Sequence, residues 1–274
     1  MNLFGWKEKR LRTIWKVEKE RPASLLVGTA HFSPYSFKKT LTKLIQGVDT
    51  VLFEGPLDQE SMAKVVQYGQ QGEDEPSLYK GLHPDVIAEI NKLLAARSSS
   101  QTTAVPYLDL IHPTTSNFLE TLMRGVRPWR AFFSIWSAFL NWKHSMDLEA
   151  FHIARKLGKK IDYLETIEDQ LAALDGIPLE RIVNYLNNIE HWGGHKKAFM
   201  KAFLEGDIQR FFSMTGEFPT RCESIIANRD PIFFRRMKLF FEEGKTVAFV
   251  GVGHIPGIRK LFLDEGYRVM QEGS

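Results

Sequence analysis

Two short apolar runs, one near each end of the chain, both finish in a histidine that follows a glycine by three positions. The first covers residues 25–31 and contains Gly28 and His31; the second covers residues 247–254 and contains Gly251 and His254. Each run is short and bounded by glycine, which predicts a strand buried on both faces, as in a parallel sheet. Ligands of such sheets bind beyond the carboxyl ends of the strands. The pattern therefore predicts an α/β enzyme in which both histidines lie near a substrate.

A further strand is predicted at Val51–Phe53, and it is followed directly by Glu54. Between it and the first strand lies a stretch with helical spacing of apolar residues, which Gly47 is well placed to end. Strand, helix and strand within about 30 residues form a βαβ unit, which favours parallel pairing and a right-handed crossover. This arrangement places Glu54 at the same edge of the sheet as His31.

The middle of the chain has helical periodicity, which predicts one domain over residues 1–274 with a helical insertion at approximately 60–158. Helices are expected at Pro84–Leu94 and His112–Met123, joined by a polar loop at Ser98–Thr103. After the insertion, Lys160–Glu165 predicts a strand that ends in a carboxylate. Thr166 is expected to cap the next helix, and three or four more helices are expected between residues 178 and 243.

A helix beginning at Pro128 carries an aromatic stripe within residues 129–140. Phe132, Phe133, Trp136, Phe139 and Leu140 fall on one face of it. Core packing is the ordinary explanation of such a face. A substrate groove, a contact in a homo-oligomer and a peripheral membrane contact are the alternatives that the sequence leaves open.

Composition excludes several classes of protein. A net charge of +3 without a long basic run argues against nucleic-acid binding. With Cys222 as its one cysteine, the chain can form neither an intramolecular disulfide nor a Cys-rich zinc site. No apolar segment approaches the roughly 20 residues that a transmembrane helix needs, and the N-terminus lacks a secretory pattern. A cytoplasmic location is therefore expected.

His31, Glu54 and His254 form the strongest candidate site. Two imidazoles and a carboxylate bind zinc, manganese or cobalt and leave a position for water, whose pKa the metal lowers. Without a metal, the same groups act as a general base and its orienting partners. A histidine that only makes a hydrogen bond in the core is the alternative for either imidazole alone.

Further polar residues lie close to predicted strand or helix ends. Glu165 either belongs to the site or caps a helix. Arg229 either stabilises an anion through bidentate hydrogen bonds or forms a surface ion pair. Asp147 is expected foremost to cap a helix, with a role in the site as the alternative. His191 and His195 have the spacing of a helical metal pair, but the glycines between them argue against a helix and hence against that site.

These residues resemble a known family. Gly28–Ser33, the strand end at Glu54 and Gly251–Gly257 are similar to segments of the TraB/PrgY/GumN family, which includes the Tiki proteases. The similarity, which spans roughly residues 12 to 271, also includes Met146–Asp147, Gly158–Lys159, Leu164–Thr166, Gln170 and Asn228–Arg229.

The resemblance implies a fold of the erythromycin-esterase/ChaN type, with a mainly parallel central sheet built from both chain ends. It implies a hydrolase, foremost a metal-dependent peptidase acting on a peptide or protein substrate. His31, Glu54 and His254 would form its core and bind Mn, Co or Zn, with Arg229 and Glu165 assisting. A metal-independent, esterase-like hydrolase and a non-catalytic module that binds a peptide or haem are the alternatives.

Overall fold

The computed structural model describes residues 8–20, 22–72, 77–96 and 118–272. Its centre is a six-stranded sheet with the strand order β4-β3-β5-β2-β1-β6. In chain order, strands β1 to β6 are Ile14–Glu18, Ser24–Thr29, Thr50–Phe53, Lys160–Tyr163, Thr246–Gly251 and Arg268–Gln271. The prediction of an α/β fold whose sheet takes strands from both chain ends is confirmed.

The four strands β4, β3, β5 and β2 are parallel, and β1 and β6 add an antiparallel edge. All residues of β3 and β5 are buried, as expected for strands covered on both faces. Strand β5 lies between β2 and β3, so the predicted βαβ unit has its two strands parallel but not adjacent. This insertion brings the two ends of the chain together, because β5 pairs with β2 from Leu25–Val247 to Thr29–Gly251.

Helices cover the sheet and form most of the described part of the segment between β3 and β4. In the described part of the chain, α1 to α13 are Lys38–Gln46, Gln59–Gly69, Ser77–Lys80, Pro84–Ala95, Phe118–Met123, Pro128–Leu140, Met146–Lys156, Ile167–Asp175, Leu179–Asn187, Trp192–Glu205, Ile208–Thr215, Asp230–Glu243 and Ile255–Asp264. Short 3₁₀ turns occupy Ile189–His191 and Val252–His254.

Several sequence predictions can be compared with these bounds. Thr166 caps α8 with a full capping box, as expected. The expectation that Gly193 and Gly194 prevent a helix is wrong, because both lie in the first turn of α10. The free energy that the two glycines cost this helix is smaller than the gain from packing the apolar face of α10. The predicted loop Ser98–Thr103 and the first half of the predicted helix His112–Met123 lie outside the described residues.

The aromatic stripe of α6 packs largely into the core. Phe132 and Trp136 are buried and contact Tyr185 and Phe218 through ring edges. Phe133 and Trp136 also line a cavity, so part of the stripe forms the wall of a groove. Among the described residues, no helix is both long enough and apolar enough to cross a membrane.

Candidate functional site

Glu54 and Glu165 are placed side by side by the ends of β3 and β4. The Glu54 carbonyl accepts hydrogen bonds from the backbone N–H groups of Leu164 and Glu165, at 3.0 and 2.9 Å. These bonds continue the pairing of the two strands past their last regular residues. Both carboxylates are therefore held at the carboxyl edge of the sheet, where each is only 8% exposed.

Arg229, which lies immediately before α12, joins these two carboxylates. Its Nη2 donates to Glu54 Oε2 at 2.9 Å and to Glu165 Oε1 at 2.5 Å, while its Nε donates to Glu165 Oε2 at 2.9 Å. Nη1 contacts the Ile225 carbonyl at 3.4 Å and His254 Nε2 at 3.3 Å. Because two buried carboxylates oppose the cost of its burial, the pKa of Arg229 is raised.

Glu54 is held ionised. Its second oxygen, Oε1, accepts the backbone N–H of Gly251 at 2.6 Å. Burial alone would raise the pKa of this carboxyl, but His254, Arg229 and His31 outweigh that effect and lower the pKa to about 2. For Glu165 the balance is the opposite: burial raises its pKa despite the Arg229 guanidinium.

His254 lies in the 3₁₀ turn that connects β5 to α13. Its Nδ1 is 2.7 Å from Asp230 Oδ1, and its Nε2 lies 3.7 Å from Glu54 Oε1. Its Nε2 also contacts Arg229 Nη1 at 3.3 Å, so the two ring nitrogens face a carboxylate and a guanidinium. Asp230 therefore fixes the orientation of a deeply buried ring that is directed at Glu54.

His31 approaches Glu54 from the end of β2 in the same way. Its Nδ1 is 2.8 Å from Asp147 Oδ2, and Asp147 Oδ1 accepts the Thr29 hydroxyl at 2.7 Å. Two backbone hydrogen bonds between Ser33 and His144 fix the start of α7 against β2, which positions Asp147. The expected capping role of Asp147 is wrong, because the side chain that caps α7 is the Ser145 hydroxyl.

The environment of His31 combines solvent access with a strong local charge. Its side chain is 58% exposed, because it faces a cavity that water can enter. Burial lowers the pKa of His31, but the Asp147 carboxylate outweighs this and raises the pKa to about 9. Given the exposure, we consider the attraction to Asp147 the dominant effect. His31 is thus protonated at neutral pH.

Gly251 allows these groups to meet. A Cβ at this position would lie 3.1 Å from His31 Nε2 and 3.2 Å from Glu54 Oε1. Both distances are shorter than ordinary van der Waals contact, so a larger residue would separate the two side chains. Gly251, the glycine three residues before His254, therefore allows His31 and Glu54 to approach each other.

A cavity of about 250 Å³ opens above this cluster. His31, Glu54, Arg229 and His254 form part of its lining, together with an apolar wall from α6, α10, α11 and the residues that follow α6 and α11. The wall includes Trp129, Phe133, Trp136, Trp142, Phe199 and Phe218. His195 also lines the cavity, whereas His191 lies in an exposed turn beside Glu190, so the structure does not bring these two histidines to one site.

The residues predicted to bind a metal converge, but not as a formed metal centre. Over the described ranges, no group of three or more His, Cys, Asp and Glu side chains is arranged to hold an ion. The donor types nevertheless suit one, since each imidazole has an aspartate on Nδ1 and has Nε2 on the side of Glu54, where Nε2 of His254 also contacts Arg229. Metal-binding histidines commonly have such a carboxylate partner.

Two partners of the histidines were not assigned from the sequence. Asp230 was absent from the candidates, and Asp147 was expected foremost as a cap, although the family resemblance included it. Both lie in the first turn of a helix, where an acidic residue is ordinary, so neither stands out. A signal that could have found them is the need of each strand-end histidine for a hydrogen-bond acceptor at Nδ1. An acidic residue at the start of a nearby helix supplies that acceptor.

Fold and site together define an α/β protein with a histidine–carboxylate–arginine cluster at the carboxyl ends of its parallel strands. A sequence model of the TraB/PrgY/gumN family matches residues 13–271, and the chain belongs to this family. A search of curated proteins gives no match.

Proposed function

We propose that the protein is a hydrolase that cleaves acyl bonds, with peptides as the leading substrate class. The observation that carries this proposal is the convergence of His31, Glu54 and His254 below an apolar cavity. Both imidazoles are oriented by aspartates, which is how hydrolytic sites hold a histidine for proton transfer. Peptides rank first because of the family resemblance, while the apolar wall favours an apolar group beside the scissile bond.

The charges of the cluster suggest a role for each side chain. In the metal-free form, His31 carries a proton at neutral pH and can donate it from Nε2 to the leaving group. Glu54 can accept a hydrogen bond from the attacking water and orient it toward the substrate. Arg229 keeps Glu54 ionised and in position. Its own donors are occupied by protein groups, so it acts through Glu54 and not on the substrate.

We propose the metal-dependent form of this hydrolase as the leading one. A carboxylate with a pKa near 2 is a weak general base, and a bound divalent ion would supply the missing activation by lowering the pKa of water. His31, His254 and Glu54 would hold it. Because His31 must lose a proton to bind an ion, the affinity for the metal should rise as the pH approaches 9.

The proposal is tested by hydrolysis of fluorogenic peptides and of p-nitrophenyl esters. We expect the wild type to be active, Glu54→Gln to lose at least about 100-fold in kcat, as for other groups at a reacting centre, and Glu60→Gln to resemble the wild type. Glu60 is an exposed residue of α2 and serves as the matched control.

Treatment with a chelator separates the two chemical forms. Loss of activity that manganese, cobalt or zinc restores supports the metal-dependent form, whereas full activity in the chelator supports the esterase-like form. If no peptide or ester is hydrolysed under either condition, the hydrolase proposal fails. A module that binds a peptide or haem without turnover would then be the remaining alternative.

A further inference from the structure

The cavity contains a second arginine, Arg221, whose hydrogen-bonding capacity is largely unused. We propose that Arg221 binds a free carboxylate of the substrate, so that the preferred substrates are peptides or acyl compounds ending in a carboxylate next to an apolar side chain. This inference rests on the proposed function for the position of the scissile bond. Its binding step can be tested without turnover.

The two arginines of the cavity differ in their partners. Arg229 directs its N–H groups to Glu54, Glu165, Ile225 and His254. Among the residues that the structure describes, Arg221 makes one side-chain hydrogen bond, from Nε to the Thr215 hydroxyl at 3.2 Å. Within the described ranges, no carboxylate lies within ion-pair distance of it. An arginine has five donors, so the outer nitrogens of Arg221 are available to an anion.

The position of Arg221 is set by aromatic rings and by a glycine. Its guanidinium lies over the rings of Phe211 and Phe212, at 4.9 and 4.5 Å from their centroids. A Cβ at Gly253 would lie 2.0 Å from Arg221 Nη1. Gly253 therefore allows the guanidinium to lie against the turn that carries His254, beside the reacting centre.

The lack of an anionic partner has an energetic consequence. Burial lowers the pKa of Arg221 to about 10, and the nearby Asp230, which faces His254, only partly opposes this. A charge removed from water without a partner destabilises the protein. A carboxylate that enters the cavity would supply the partner, with the bidentate geometry that guanidinium and carboxylate groups share.

The shape and lining of the cavity suit the end of a chain. Its volume of about 250 Å³ lies slightly below the range of about 300–1,000 Å³ typical of ligand pockets. Several aromatic side chains line the cavity, and Lys196, which lines it too, has no carboxylate partner among the described residues. The apolar side chain of a C-terminal residue can fill this space while the terminal carboxylate of the same residue reaches Arg221.

Binding of 3-phenylpropanoate and of its uncharged amide, measured by calorimetry, tests the carboxylate subsite. We expect the acid to bind the wild type and the Glu54→Gln variant, and to bind Arg221→Gln about 10- to 100-fold more weakly. Arg235→Gln, on the exposed face of α12, is the control and should bind like the wild type. Equal binding of acid and amide, or undiminished binding to Arg221→Gln, would overturn the proposal.

Gly253→Ala gives an independent test, because it keeps Arg221 but displaces its guanidinium. It should weaken binding of the acid as Arg221→Gln does, and unchanged binding would contradict the assigned geometry. With a cleavable peptide, Arg221→Gln should raise KM for the free acid and leave the C-terminal amide unaffected. A fall in kcat for both substrates would instead assign Arg221 to the transition state. Carboxylate binding without any hydrolysis would uphold this inference while the proposed function fails.

Discussion

At the scale of single residues, Arg229 is the side chain on which the stability of the site depends most. It is 7% exposed and neutralises two carboxylates that are each 8% exposed. Replacing one member of such a buried ion-pair network leaves charges without partners, which costs about 3–5 kcal/mol. We therefore expect Arg229→Met to lower the free energy of unfolding by about that amount, as measured by urea denaturation at neutral pH.

A second variant tests the cause of this loss. If uncompensated carboxylates are responsible, adding Glu54→Gln and Glu165→Gln to Arg229→Met should restore a large part of the stability, because no buried charge then remains unpaired. Arg235→Met, which removes an exposed arginine of the adjoining helix α12, should change stability little. Equal losses for Arg229→Met and Arg235→Met would refute the interpretation.

The sequence placed the candidate residues correctly at strand ends, but it did not give their partners. His31, Glu54, Glu165 and His254 each follow a strand, and the position after a parallel strand is a general feature that can be recognised along the chain. Which side chain contacts which could not be predicted, since this depends on distances between segments far apart in sequence. Arg221 is the clearest example, because nothing around it in the chain indicates that it faces the cavity.

At the scale of secondary-structure elements, α8 shows how a helix start stabilises the site. Thr166 directly follows Glu165, and its hydroxyl accepts the Asp169 N–H at 3.1 Å, while the Asp169 carboxylate accepts the Thr166 N–H at 3.2 Å. We expect Thr166→Ala to reduce the free energy of unfolding by about 1 kcal/mol. Thr166→Ser keeps the hydroxyl and should stay close to the wild type in the same denaturation assay. A loss that is equal in both variants would show that the hydroxyl is not the cause.

Elements with strong local signals were predictable, and those decided by packing were not. The capping box of α8 and the proline at the start of α6 mark their helices in the sequence itself. Helix α10 begins with two glycines near its N-terminus and depends on the burial of Trp192, Met200 and Phe203. A purely local argument therefore gives the wrong result there.

At the scale of the whole molecule, the site exists because the last parallel strand is inserted into the middle of the sheet. Strand β5 separates β2 from β3, and its end brings Gly251 between His31 and Glu54. The sequence indicated that both chain ends join one sheet, but the order of strands depends on the competition between alternative pairings. That order decides whether the two histidines share a cavity or lie apart.

The free energy of unfolding of the whole protein should change with pH as His31 gains or loses its charge. Its pKa rises from 6.5 to about 9 on folding, so the folded state binds this proton more tightly than the unfolded state. The resulting stability is fully present below pH 6.5 and is lost as the pH rises through about 9. Asp147→Asn removes the main cause of the shift. In chelator-treated protein, we expect this variant to lose less stability than the wild type over that pH window, and the His31 NMR titration to move to lower pH.

The matched control for this pH dependence is Asp85→Asn, which changes an exposed aspartate in the first turn of a different helix, α4. It should retain the wild-type loss of stability between pH 6.5 and about 9, because His31 keeps its carboxylate partner. If Asp147→Asn and the wild type lose stability in parallel over this window, the Asp147 carboxylate does not set the charge on His31. The proton assigned to His31 at neutral pH, and with it the proposed donor to the leaving group, would then have to be abandoned.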